Sequence, residues 1–302
     1  MKGIKNFKKT VIAYWEKSGR HDLPWRHTHD PYRILVSEIM LQQTPVDRVI
    51  PYYRRFLRQF PTVQKLAKSD LTDVLEIWSG LGYNRRAKML RDCARVIVEK
   101  YGEKIPRERQ SLESLPGIGP YTAGAIRAFA YNEPDVFIET NIRTAFLYHF
   151  YGYDAPSRGR ERSAIVSDME ILEIAKKAAE GQDPREWHSA LMDYGAHLKR
   201  GGIKLNHKSA HYIKQSKFEG SLRQVRGKLL RRLIQNPITK VSFKKVDAKN
   251  AYRISMALQA MEREGLIVKE KDVWRIVVDE GGECGDMGKK GENRKSTCGA
   301  LS

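Results

Sequence analysis

The chain has 302 residues, with 55 Lys+Arg against 36 Asp+Glu and a formal net charge of +19. A field of that sign draws polyanions and speeds their encounter, so nucleic acid is the expected partner. No apolar run reaches the length of a membrane span, the basic N-terminus lacks the apolar centre of a secretory signal, and Cys93, Cys284 and Cys298 share neither metal-ligand nor disulfide spacing. Membrane proteins, secreted disulfide scaffolds and zinc modules are thereby set aside. The expectation is a reduced, cytoplasmic, nucleoid-associated monomer that uses no membrane, and the length allows more than one domain.

In chain order, Ile4, Phe7, Val11 and Tyr14 or Trp15 recur at helical spacing. His21–Arg26 breaks that pattern at Pro24. Trp25 beside Arg26 offers a flat ring and a guanidinium that could hold a base, although a lone tryptophan also serves as core. Asp30 caps, and Pro31 opens, a helix running to Thr44. Within it Glu38 is surrounded by Ile34, Leu35, Val36, Ile39, Met40 and Leu41. If that helix is buried, desolvation raises the pKa of Glu38 and makes it a candidate general acid. The competing reading is a glutamate on the single polar stripe of a buried helix. Leu41, Gln42, Gln43 and Thr44 close the helix with groups able to face base edges.

Short amphipathic helices are expected over 46–60, 63–67 and 71–78. Gly80-Leu81-Gly82-Tyr83 is a glycine-framed loop that should push Leu81 and Tyr83 outward as a wedge for a base stack. Arg85, Arg86, Lys88 and Arg91 on the following helix, 84–100, suit phosphates or a solvated face equally.

The centre of the chain is Leu115-Pro-Gly-Ile-Gly-Pro-Tyr-Thr-Ala-Gly-Ala-Ile126. It reads as a helical hairpin over 112–130, with Gly117 and Gly119 bracketing Ile118 in the turn and Pro120 opening the second helix. Free N–H groups around Gly117, Ile118, Gly119, Tyr121 and Thr122 would seat a phosphate. Glu139 precedes a helix that starts at Thr140-Asn141, where the helix dipole favours its ionised form. One acid pushed toward neutral and one kept charged is the pattern that divides acid from nucleophile. Asn141 is counted with the catalytic residues. Asp193, a third acid near a helix core, is counted with the substrate-binding ones. His197, His207 and His211 lack a carboxylate or cysteine at ligand spacing, so no metal is expected.

From Ser221 a second unit reads as helix 222–235, a short extended piece, helix 248–264 and a hairpin of strands at 266–270 and 273–278, the outline of a winged helix. The division expected is 1–219, 220–278 and a disordered tail, 279–302.

Leu23-Pro-Trp-Arg26, Ser37–Thr44, Gly80–Tyr83, Leu115–Thr122 and Trp187–Gly195, in that order, resemble the helix-hairpin-helix (HhH-GPD) DNA glycosylases, and within them the MutY adenine glycosylases, over roughly residues 5–198. The resemblance implies an all-α, two-lobed fold binding duplex DNA with a mismatch or lesion across its cleft, here with a small winged-helix-like α+β addition. It implies base excision repair by base flipping and N-glycosidic hydrolysis, with adenine opposite 8-oxoguanine or guanine as the substrate. By it, Glu38 matches the acid for the departing adenine and Tyr121 takes a position held by a Schiff-base lysine in bifunctional relatives, so the enzyme would be monofunctional. Gln43 and Thr44 match contacts to the opposite base, Leu81 and Tyr83 the wedge, and Trp25 and Arg26 the pocket rim. The chain departs from the pattern in three ways. It has Glu139 for an aspartate, it has no cysteine in the stretch from Lys199 where the iron–sulfur loop would begin, and it lacks the 8-oxoguanine recognition domain. No cofactor is therefore expected. A thymine or uracil glycosylase for G mismatches, and a non-catalytic mismatch-binding protein, stay open.

Overall fold

The computed structural model describes residues 2–152, 165–210, 217–239 and 248–278. The expected tail, Cys284, Cys298 and His211 lie outside them. Two groups of helices build the main body. One comprises α2 (Pro31–Leu41), α3 (Val46–Gln59), α4 (Val63–Ala67), α5 (Leu71–Trp78), α6 (Arg85–Tyr101), α7 (Arg109–Glu113) and α8 (Pro120–Tyr131). The other comprises α1 (Lys2–Ser18), α9 (Thr140–Tyr151), α10 (Asp168–Ala179) and α11 (Pro184–Arg200). Within the first group α4 and α5 pack on α6, and α2 on α3, α6 and α8; in the second, α11 lies along α9 and α1. The groups meet where α11 reaches α8, which leaves a cleft between them.

Local chemistry explains the boundaries. Asp30 accepts from the Tyr32 N–H at 2.9 Å to cap α2, with Pro31 at its first position. Ser167 and Glu170 form a reciprocal capping box on α10. Gly102 ends α6 and Asn132 ends α8, both in the left-handed region that glycine and asparagine tolerate best. α2 shows no clean stripe because it is central: Ile34 through Met40 are all buried.

Beyond the cleft, α12 (Leu222–Gln235), β1 (Ile238–Thr239), α13 (Ala248–Arg263), β2 (Ile267–Glu270) and β3 (Val273–Ile276) follow the expected order. The strands form an antiparallel sheet in the order β1-β3-β2, with Trp274 opposite both Ile238 and Lys269. Leu229, Leu230 and Leu233 of α12, Ala257, Leu258 and Met261 of α13, and Trp274 and Ile276 of β3 are all buried where α12 packs on α13 and β3. α12 also packs on α5, beside the glycine loop.

Candidate active site

A cavity of about 850 Å³ lies in the cleft. The end of α2, the start of α8, residues 139–141 and one face of α11 line it. Glu38 and Glu139 both open onto it, as do Trp25, Arg26, Leu41, Gln42, Gln43, Thr44, Gly119, Tyr121, Thr122 and Asn141.

Glu38 is 2 % exposed. Burial pushes its pKa from 4.5 up to about 7; the Tyr121 hydroxyl, donating to Oε2 at 2.7 Å, opposes the rise, and the nearby charge of Glu139 adds to it. Tyr121 is aimed by its own neighbours. Phe137 packs edge-on against it with ring centroids 5.4 Å apart, and Phe137 in turn stacks on His188 at 4.1 Å. Burial lowers the His188 pKa to about 4, so this ring is neutral at physiological pH.

Glu139 acts as the N-cap of α9, a place where shorter side chains are the usual choice. Its longer arm folds back so that Oε1 accepts from the Asn141 and Ile142 N–H groups at 2.7 and 2.8 Å. Oε2 accepts from Asn141 Nδ2 at 3.2 Å. The extra methylene is thus absorbed by the turn. The sequence alone suggested that the helix terminus would hold this carboxylate at a low pKa. Instead burial outweighs the two N–H bonds and the charges of Lys199 and Arg143, and the Glu139 pKa is raised. The two acids therefore differ in their partners rather than in the direction of their shifts.

Other expected contacts need correction. Asp193 is 1 % exposed and does not line the cavity. It lies behind Arg26, which donates to it at 2.7 and 2.9 Å, and Arg20 adds its backbone N–H at 2.6 Å and Nε at 2.8 Å. Burial raises the Asp193 pKa, but the Arg26 and Arg20 bonds outweigh it and hold the group below its ordinary range. Trp25 is core, 7 % exposed and edge-on to Tyr53, and it also forms part of the cavity wall. Leu81 does not project. It is 3 % exposed, because the left-handed turns at Gly80 and Gly82 fold it inward. Tyr83 is half-buried, with the Arg86 and Arg223 guanidinium groups over its ring, and its hydroxyl accepts from Arg223 Nη1 of α12 at 2.8 Å. A second cavity of about 900 Å³ lies between this loop and α12, and shares the turn 42–45 as a wall with the first. Gln43, exposed and at φ 55°, sits on that turn.

The hairpin is present, with Gly117 at φ 80°. Gly119 is extended rather than left-handed and serves as the N-cap of α8 without a capping side chain. The Ile118 N–H is spent on Leu115 O within the turn, and the Ile118 side chain is buried. Pro120 has no N–H, so the first backbone donors of α8 are those of Tyr121 and Thr122. Thr122 is itself buried and accepts from Gln42 Nε2 at 3.3 Å.

The basic face of α6 is largely something else. Arg86 donates to the carbonyls of Ile39, Met40 and Gln42 at 2.8, 2.8 and 2.6 Å and to Thr44 Oγ1 at 3.0 Å, closing the end of α2. Arg91 is 2 % exposed, Lys88 pairs with Asp92 at 2.5 Å, and of the four cations Arg85 alone is exposed. Charge density alone cannot distinguish a phosphate ligand from a helix terminator, since a guanidinium can serve as either.

Sequence reading missed Arg185 and Lys199 as wall residues. A helical stripe could have found them: Arg185, Ser189, Met192, Ala196 and Lys199 of α11 all face the cavity at spacings of four, three, four and three. Gly195 lies beside that stripe for a different reason. A Cβ there would stand 1.9 Å from the Asn141 carbonyl oxygen, so only glycine lets α11 cross the start of α9.

An iron–sulfur cluster held by four thiolates does not fit these residues. The chain has three cysteines, and Cys93 is buried within α6.

Comparisons with known proteins give the family. Residues 36–193 match the HhH-GPD superfamily base excision DNA repair proteins. The adenine DNA glycosylase of Mycolicibacterium smegmatis is 32 % identical over 285 residues, covering 86 % of this chain and 92 % of that protein. The Mycobacterium tuberculosis adenine DNA glycosylase is 36 % identical over 198 residues, but the chain spans 62 % of its length. Among solved structures, a thermostable thymine-DNA glycosylase superposes with a TM-score of 0.57 at 27 % identity, over 70 % of this chain and 97 % of that one. No described helix is long and apolar enough to cross a membrane. The chain belongs to the HhH-GPD superfamily of base excision DNA repair proteins.

Proposed function

We propose that this protein is a monofunctional adenine DNA N-glycosylase acting on adenine opposite 8-oxoguanine or guanine. The observation that carries the reading is Glu38, buried, with its pKa near 7, and sharing one cavity with Glu139. The flipped adenine enters that cavity against Trp25 and Leu41. Glu38 gives its proton to the departing purine as the N-glycosidic bond breaks and the bond pair leaves with the base. Glu139, ionised, stabilises the positive charge growing on the sugar, and Asn141 keeps it in place. Water then adds at the anomeric carbon, and Glu139 accepts the proton it sheds. Tyr121 supplies no amine, so the strand is left uncut. Around the cavity, the first turn of α8 takes a phosphate, Tyr83 enters the stack, and Gln43 faces the opposite base. Flipping costs a few kcal/mol, offset by such contacts. DNA as partner follows from the family and the charge of +19. The enzyme works as a monomer, without a metal cofactor, in the cytoplasm and at the nucleoid, and elemental analysis of the purified protein for iron checks the cofactor statement.

Single-turnover base release from an A:8-oxoguanine duplex and a T:G duplex tests the substrate. The proposal expects adenine release at least tenfold faster. Preferential thymine release would favour the second reading, for which the 27 % identity to a thymine-DNA glycosylase speaks. Tight binding with no base released from either duplex would favour a mismatch-binding protein.

A further inference from the structure

Lys199 is the penultimate residue of α11 and the end of its cavity-facing stripe. Its side chain is solvent-exposed, yet it is not idle. Nζ donates to Asn141 Oδ1 at 3.1 Å, while the other end of the same amide, Nδ2, donates to Glu139 Oε2 at 3.2 Å. An ammonium has three donors and no acceptor, so it can bind only the oxygen of a carboxamide. Its presence fixes which way the Asn141 amide points. Turned the other way, Asn141 would present its oxygen to the Glu139 carboxylate and its NH₂ to the ammonium, and both contacts would become repulsive.

We propose that Lys199 is a positioning residue for the glycosylase reaction, orienting Asn141 toward Glu139 and holding positive charge beside that carboxylate. This rests on the reading of Glu139 as the charge-stabilising group. The groups that face Glu139 from each packed element are few. Glu38 on α2 and Tyr121 on α8 disfavour its charge or are disfavoured by it, and the cations are Arg143 on α9 and Lys199 on α11. Arg143 is committed elsewhere, to a two-point pair with Asp168 at 2.7 and 2.6 Å. Lys199 is the cation whose hydrogen bond leads to the carboxylate. Burial raises the Glu139 pKa, which works against the ionised form that the reaction needs. Because Lys199 is exposed, its help is modest and weakens with salt.

Two measurements decide the proposal. In single-turnover adenine release, Lys199→Met should lower the rate about three- to tenfold at mildly acidic pH and move the acid limb of the profile up by roughly half to one pH unit. Lys199→Arg, which keeps the charge and the donor, should restore most of both. High salt should shrink the difference between wild type and Lys199→Met. Separately, the Glu139 carboxyl carbon is titrated by NMR in each protein, with its resonance assigned from Glu139→Gln. That titration should also move up in Lys199→Met, and it needs no substrate. If wild type releases no base, the activity reading fails while the titration still decides the coupling. An acid limb and a titration both unmoved in Lys199→Met overturn the proposal. So does a loss confined to DNA affinity, which would make Lys199 a phosphate contact.

Discussion

Replacing Gly195 by alanine should separate folding from activity. Gly195 lies inside α11 and has no positive φ, so its backbone conformation suits alanine. In an open helix the change would stabilise by about 1 kcal/mol. Here the new Cβ would lie 1.9 Å from Asn141 O and 2.5 Å from its carbonyl carbon. Relief to ordinary contact requires the start of α9 to back away by roughly 1.5 Å. That piece of chain carries Asn141 and, as its cap, Glu139. Displacing a reacting group by about 1 Å can cost on the order of 100-fold in rate. Overpacking costs about 1–3 kcal/mol, partly offset by the helix propensity of alanine. The expected result is a folded protein, melting a few degrees lower, with single-turnover base release down about 100-fold. Thermal melting and base release on the same preparation check it. A variant with wild-type rates would refute the claim that the α9–α11 crossing sets the position of Glu139.

Further outcomes follow from the site. The rate of base release should fall as pH rises through about 7, because Glu38 must be protonated to act; in Tyr121→Phe that limb should move to higher pH, since the lost bond favoured the ionised form, and a pH profile of both proteins reads this. Arg86→Met should destabilise by about 3 kcal/mol in urea unfolding by stripping donors from the end of α2, with little change in the salt dependence of DNA binding. Asp193→Asn should cost about 3–5 kcal/mol by leaving Arg20 and Arg26 without their anion. The Asp193 pKa is depressed on folding, so its contribution is present above the ordinary carboxylate range and is lost as pH falls through the folded value; acid unfolding should therefore begin at higher pH in the variant than in wild type.

Much of the architecture was legible because it rests on local chemistry. Asp30-Pro31, Asp183-Pro184 and Ser221 announce helix starts, and α4, α5 and α12 begin and end where spacing and caps place them. Glu38 could be picked out because an acid amid continuous apolar residues is costly unless it has a task or a partner, and Tyr121 proved to be that partner. What could not be read depends on contacts distant in sequence. Whether Arg86 meets a phosphate or three carbonyls, and whether Asp193 faces the cavity or two arginines behind it, is decided by residues 44 to 173 positions away. The rise in the Glu139 pKa is of the same kind. Its place at a helix start could be foreseen from Thr140-Asn141, but Glu139 itself, not those two residues, is the N-cap, and its desolvation depends on what packs around it. Leu81 misled because a glycine-framed loop can turn a side chain in as readily as out.

The account stands most directly on the pairing of Glu38 and Glu139 in one reaction. Single-turnover release of adenine from an A:8-oxoguanine duplex, measured for wild type, Glu38→Gln and Glu139→Gln with binding to the same duplex measured alongside, tests it. The account predicts release by wild type and a loss of at least 1000-fold in each variant, of the order expected for removing a principal acid or charge-stabilising group, with binding retained. Near-wild-type release by either variant would contradict it.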